Sequence, residues 1–430
     1  MLRIPKVSLS YPCGELRCAY SEEGSFQGTG GLFLRCFFVR ISGDVAENGL
    51  AAHVFSLENA PVADRKEPVS NNPAAQSRFP SLWPEGSGGE MPRRLWLVLL
   101  FVAFAMLVPG TSIMPLLDRD EPRFSRATVE MEERGDYVVP YFNGEYRFDK
   151  PPLTYWLMRA DYAVFGQNET GARMHSVFAS AIVACIILAL GREMFGWRVG
   201  FWAAISFLTL FQVWQHGRLA VADMPMIAAL AATHWALWKL LSGERRRAFG
   251  LWFWVLWGSI SIGFLAKGPL AFFVPAMTLV LFRFLFWRKP VEWGRLQIPT
   301  GLPLCLIPIA AWGIPALMAT HGEFWHKGIG THVVDRGLGA FDNRRTIPVL
   351  FYLVTALVSL FPWLGRAGSA WTALKSSRSD IRSAFLASWL LGPYLIFAFY
   401  ATQLPHYVLP AFPALCILFF ASGTGAQGRW

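Results

Sequence analysis

Charge is scarce in this chain of 430 residues: Asp, Glu, Lys and Arg together make up 16%, against roughly 25% in an ordinary soluble domain. That shortage excludes a soluble enzyme. Paired cysteines are missing too. Cys13, Cys18 and Cys36 lie near the start, and Cys185, Cys305 and Cys416 lie inside apolar runs. Neither set has the spacing of a metal site or of a disulfide framework. No nucleotide, haem or flavin motif occurs. What the chain has in quantity is apolar: 54% of residues are hydrophobic, with 19 Trp and 35 Phe. So many large apolar side chains cannot stay solvated, which excludes global disorder. They suffice for about ten helices of about 20 residues crossing a bilayer, so a single membrane anchor is excluded as well.

Residues 1–92 read differently from the rest, with 10 acids, 8 Lys/Arg and no apolar run long enough to span. Met91 precedes Arg93, Arg94 and the run LWLVLLFVAFAMLV, the pattern of a start codon ahead of a first membrane helix. The expectation is a disordered or spurious extension over 1–92, a transmembrane domain over 93–423 and a short cytoplasmic tail over 424–430. Apolar runs recur near 95–117, 171–190, 199–216, 224–241, 251–266, 269–287, 302–319, 348–365, 384–402 and 406–422. Ten crossings put both termini on one side. The short loops there hold 15 Lys/Arg and 4 acids, against 14 and 15 on the opposite side. The net charge of +10 is therefore a positive-inside signature, with both termini cytoplasmic; nucleic acid is not implied.

The outer loop 118–170 carries two short helical patterns. One covers 121–133, with Phe124, Ala127 and Met131 at helical spacing and Gly135 after it; the other covers 152–165 and is interrupted by Arg159 and Asp161. Both suit helices lying at the interface.

Ionisable groups at the mouths of membrane helices are costly, which makes them candidate sites. Asp118-Arg119-Asp120-Glu121-Pro122-Arg123 offers a carboxylate kept ionised by arginine, or simply a helix N-cap at Asp120. Asp149-Lys150-Pro151-Pro152 offers a lysine stiffened by two prolines for a phosphate contact, or an ordinary snorkelling lysine. Asp223 and Lys267 read as a second acid and its cation, or as a helix cap and its neutraliser. The loop 320–347, with His321, His326, His332, Arg336, Arg344 and Arg345, and the step Gln403-Leu-Pro-His406-Tyr407 complete the set. The histidine spacings do not place the three on one helical face, so no metal site is expected, and a divalent cation stays open as a cofactor. All these groups fall on the outer side.

The stretch DEPRFSRATVEMEERGDYVVPYFNGEYRFDKPPLTYW (120–156), with the A-D-M-P and A-K-G-P steps and the closing L-P-H-Y-V-L-P, resembles the signature of integral-membrane glycosyltransferases of GT-C fold, family 39-like. Within that family it resembles the dolichyl-phosphate-mannose–protein mannosyltransferases and the bacterial aminoarabinose transferase that modifies lipid A. The resemblance covers about 95–420. It implies an all-α polytopic fold in the inner membrane and transfer of a sugar from a polyprenyl-phosphate donor to a lipid, protein or glycan acceptor on the extracytoplasmic face.

By the same resemblance Asp120 is the base, Glu121 and Arg123 position its segment, and Asp223 is a second acid near the sugar, so that Asp120, Glu121 and Asp223 form the catalytic group. Arg123, Asp149, Lys150, Lys267, Arg336, His406 and Tyr407 bind substrate. Gln403 stands where the family often has a basic residue, and the larger members' soluble C-terminal domain has no counterpart, which suggests a small subtype or a truncated frame. Two rivals stand beside this reading: a transporter or flippase for a lipid-linked sugar, expected to show broken helices at the midplane and inverted repeats, and a non-catalytic scaffold.

Overall fold

The computed structural model describes residues 91–117, 120–242, 249–335 and 348–421, all within one compact unit that begins at Gly86. The expected extension over 1–92, Met91 and Pro92 excepted, and the tail 424–430 lie outside the described residues. Every apolar run contains a helix. In chain order these include α1 (Arg94–Leu107), α2 (Asp120–Arg134), α3 (Leu153–Phe165), α4 (Glu169–Phe195), α5 (Trp197–Thr209), α6 (Phe211–His216), α7 (Asp223–Ser242), α8 (Leu251–Lys267), α9 (Leu270–Leu281), α10 (Ile298–Ala319), α11 (Pro348–Ser359), α12 (Ala367–Lys375), α13 (Ile381–Ala398) and α14 (Phe412–Ala421).

Several runs depart from the sequence expectation. The first run was read to 117, but α1 stops at Leu107. The run 199–216 breaks at Leu210 into α5 and α6. After α11 the chain turns by 116°, so the inner loop expected at 366–382 holds α12. Glu169–Phe195, Trp293–Ala319 and Ile381–Ala398 are each long and apolar enough to cross a membrane alone; Arg94–Leu107, Leu251–Lys267, Leu270–Phe286 and Pro405–Ala421 are apolar but shorter.

The main core is built on α4, α5, α7, α13 and α14, where Leu188, Phe207, Leu230, Trp389 and Phe412 are buried. Residues such as Phe101, Ile182, Trp254, Ile307, Leu353 and Phe399 face outward instead, as expected of a fold whose surroundings are lipid. Helices α4 and α5 meet at glycines: a Cβ on Gly191 would stand 2.6 Å from the Gly200 Cα. Such close backbone approach is how membrane helices gain van der Waals contact without a hydrophobic driving force.

A second apolar cluster lies under the segment that joins α1 to α4. Phe124, Ala127 and Met131 of α2, Tyr155, Met158 and Tyr162 of α3, and Ala220–Ala222 pack together, which bears out both short helices and the face predicted for α2. Between them stands a feature the sequence reading missed, a two-residue hairpin. Strand β1 (Tyr141–Phe142) pairs with β2 (Glu145–Tyr146), Tyr141 opposite Tyr146. Asn143 and Gly144 turn the chain at φ 54° and 82°, as a type I′ turn requires.

Candidate active site

Glu130, in the middle of α2, fixes that hairpin. Its carboxylate accepts from the backbone N–H of Asn143 at 2.9 Å and of Gly144 at 3.0 Å, and from Arg126 Nε at 2.9 Å. Burial works to raise its pKa, but the two turn amides and Arg126 outweigh it and hold the carboxyl below its ordinary value. The strand leaving the turn delivers Arg147, whose N–H donates to Pro140 O at 2.7 Å. Its Nε donates to the Tyr155 hydroxyl at 3.0 Å and its Nη2 to Asp149 at 3.1 Å. Burial pushes the Tyr155 phenol above its ordinary pKa, so at neutral pH it is an uncharged acceptor for Arg147.

Asp149 also accepts from Lys150 Nζ at 2.7 Å. One carboxylate thus holds two cations, Arg147 and Lys150, where the resemblance places the carrier phosphate. Asp120, exposed at the first turn of α2, lies within electrostatic reach of Arg147 and Tyr155. Lys150 in turn lies within reach of His406.

From the bundle side, Lys267 at the end of α8 hydrogen-bonds Asp223 at the start of α7, and both side chains are almost fully buried. His406 feels the charges of Asp223, Lys267 and His216, and its ring centre stands 5.1 Å from that of His216 and 5.1 Å from that of Tyr407. Residues from α2, the hairpin exit, α6, α7, α8 and the 405–411 turn therefore gather at one end of the bundle. Asp120, Asp149, Lys150, Asp223, Lys267, His406 and Tyr407 are all in this group.

Three sequence candidates fare differently. Glu121, expected among the catalytic acids, is 1% exposed and has both oxygens occupied. It accepts from Arg173 Nε and Nη2 at 2.9 and 2.8 Å, and from the N–H of Leu117 at 2.6 Å and of Ala220 at 2.7 Å. With four donors on it, this carboxylate holds the backbone and cannot also serve as a base. Arg123 is half-buried on α2. Arg336 lies outside the described residues, as do Asp118, Arg344 and Arg345.

Sequence reading missed Arg147, Tyr155, Arg173 and His216. For Arg173 a signal was available: a charge inside the apolar run 171–190 is expensive and has a partner by default. Among the described residues no group of three or more His, Cys, Asp or Glu side chains is placed to hold a metal ion.

A charged cluster gathered at one end of a polytopic helical bundle belongs here to the GT-C fold, which the chain shares with known membrane proteins. Residues 149–314 match the family described as dolichyl-phosphate-mannose-protein mannosyltransferase. The fold is that of ArnT from Cupriavidus metallidurans bound to undecaprenyl phosphate, with TM-score 0.69 and 22% identity over 77% of this chain and 60% of that one. The Archaeoglobus fulgidus oligosaccharyltransferase shares it more distantly, at TM-score 0.54 and 12% identity over 76% and 49% of the two chains.

In sequence the particular relatives are aminoarabinose transferases. The undecaprenyl phosphate-alpha-4-amino-4-deoxy-L-arabinose arabinosyl transferase of Pseudomonas aeruginosa (strain LESB58) is 30% identical over 76% of this chain and 59% of its own length. That of Photorhabdus laumondii is 29% identical over 75% and 58%. The chain thus spans about three fifths of the length of the curated relatives it matches.

Proposed function

We propose that this chain transfers a sugar from a polyprenyl-phosphate carrier to a lipid, protein or glycan acceptor at the extracytoplasmic face of the inner membrane, with both termini in the cytoplasm. The observation that carries the reading is the meeting of Asp120, the Arg147–Asp149–Lys150 group and the Asp223–Lys267 pair at one end of the bundle. Relatives named as transferases acting with undecaprenyl phosphate support it. So do the acidic and neutral outer loops facing a strongly basic inner set.

The chemistry follows from charge. As the glycosidic C–O bond breaks, negative charge grows on the departing phosphate. Lys150 stabilises it, with Arg147 behind and Arg336, His406 and Tyr407 as companions; fixed cations of this kind supply the largest electrostatic contribution. Asp120, exposed and beside Arg147, takes the acceptor proton, worth roughly 10²–10⁴-fold in rate. Asp223, neutralised by Lys267, stands as the second acid near the sugar. Arg123 orients the α2 segment. The carrier's lipid tail stays in the bilayer, so the pocket is approached sideways between helices.

Asp120→Asn tests the reading. Transfer is abolished while membrane insertion and thermal midpoint stay normal; transfer at the wild-type rate removes Asp120 from the mechanism. Mass spectrometry of envelope lipids and glycans from a deletion strain then identifies donor and acceptor as the molecule that loses one sugar.

A further inference from the structure

Arg173 is 2% exposed inside α4, and nothing in the chemistry above uses it. Its guanidinium nevertheless has all five N–H groups engaged. Besides its two bonds to Glu121, Nη1 donates to Thr111 O and Met114 O at 2.7 Å each, and Nη2 to Pro115 O at 2.9 Å. Glu121 passes this hold to the N–H of Leu117, three residues before Asp120, and to the N–H of Ala220, three residues before Asp223. The next residues of α4 grip the same strand of chain: Ser176 Oγ donates to Leu219 O at 2.6 Å, and His175 Nε2 lies 3.2 Å from Val221 O.

We propose that Arg173 is a positioning residue which, through Glu121, ties the chain leading to Asp120 to the segment that presents Asp223 and so sets the separation of the two acids. The proposal rests on the sugar-transfer reading and deepens it. Arginine suits the task because its planar fork offers five donors in fixed directions, and a bidentate carboxylate pair adds orientation as well as attraction. Lysine, a single rotatable charge, cannot bond three carbonyls and a carboxylate at once. A buried pair with every donor engaged keeps its geometry, whereas removal of one partner leaves a bare buried charge.

The test compares Arg173→Lys, Arg173→Gln and the double variant Arg173→Gln/Glu121→Gln with wild type and Asp120→Asn. The double variant carries no unpaired buried charge and is the one expected to fold. Transfer is measured with undecaprenyl phosphate-4-amino-4-deoxy-L-arabinose and lipid A, binding with undecaprenyl phosphate alone. The double variant is expected to lose kcat at least 100-fold, with KM for the donor and affinity for undecaprenyl phosphate within twofold. Arg173→Lys falls between. A cysteine pair at Leu116 and Leu219, which pack on the same apolar cluster, cross-links through a short bifunctional maleimide in wild type and loses most of that yield in the double variant.

A double variant within threefold of wild-type kcat, or with unchanged cross-linking, overturns the proposal. So does a double variant that unfolds while Arg173→Lys keeps wild-type kcat. If wild type transfers no faster than Asp120→Asn, aminoarabinose transfer to lipid A is excluded and the assay is repeated with the pair the deletion strain identifies, while the cross-link by itself decides whether Arg173 sets the spacing.

Discussion

Lys267, the last residue of α8, pairs with Asp223, the first residue of α7, and their side chains are only 11% and 10% exposed. Two helix ends that meet at the pocket are thereby joined by a desolvated ion pair. Removing one partner of such a pair leaves an uncompensated charge, at a cost of about 3–5 kcal/mol. Lys267→Met is expected to lower the thermal midpoint in detergent sharply. Lys267→Met/Asp223→Asn recovers most of the midpoint but not sugar transfer. Recovery of transfer in the double variant removes Asp223 from the site.

Lys150 shares Asp149 with Arg147, so its ammonium is held in place before any phosphate arrives. A charge-assisted hydrogen bond of about 1.5–3 kcal/mol corresponds to a KM for the lipid carrier raised roughly 10–100-fold in Lys150→Ala. Initial rates over a donor series measure it, and unchanged carrier dependence counts against the phosphate role.

Glu130 gives a pH signature. Its folded pKa lies below its ordinary value of 4.5, so the folded state binds the proton less readily than the unfolded chain. Its contribution to stability is complete above the unfolded pKa and is lost as pH falls through the folded one. Glu130→Gln is expected to flatten the acid limb of the midpoint-against-pH curve below about 4.5. It should also raise the donor KM, because the Asn143–Gly144 turn and the strand carrying Arg147 are freed. An acid limb identical to wild type refutes the pin.

Gly200 sits where α5 crosses α4, and a Cβ there would stand 2.4 Å from Leu188 O and 2.7 Å from Arg192 N. Both are backbone atoms and cannot move aside. Gly200→Leu is expected to abolish the folded, monodisperse protein in size-exclusion chromatography. Leucine at Gly258, where a Cβ meets nothing within 4 Å, is expected to leave it intact. A monodisperse Gly200→Leu protein means the α4–α5 crossing is looser than the structure has it.

Much of the architecture could be read from the sequence, because helices follow from local pattern. The apolar runs became helices, and Phe124, Ala127 and Met131 pack as their spacing required. The D-E, D-K-P-P, A-D-M-P and A-K-G-P steps marked segments that lie at the pocket. The Asn143-Gly144 turn was legible too, by its dipeptide, although the reading passed over it.

What each charge does was not legible. Asp120 and Glu121 are neighbours of like chemistry, yet one is exposed and the other is locked by Arg173 and two amides. Arg147 gained its place only from a hairpin pinned by Glu130. The sequence by itself determined where apolar helices form and which ionisable residues must lie at their mouths, since periodicity and the cost of charge in lipid act over one or two turns. Only the tertiary structure decided which of those charges face one another. Pairing Arg173 with Glu121 or Lys267 with Asp223 spans some fifty residues of chain and depends on how whole helices pack.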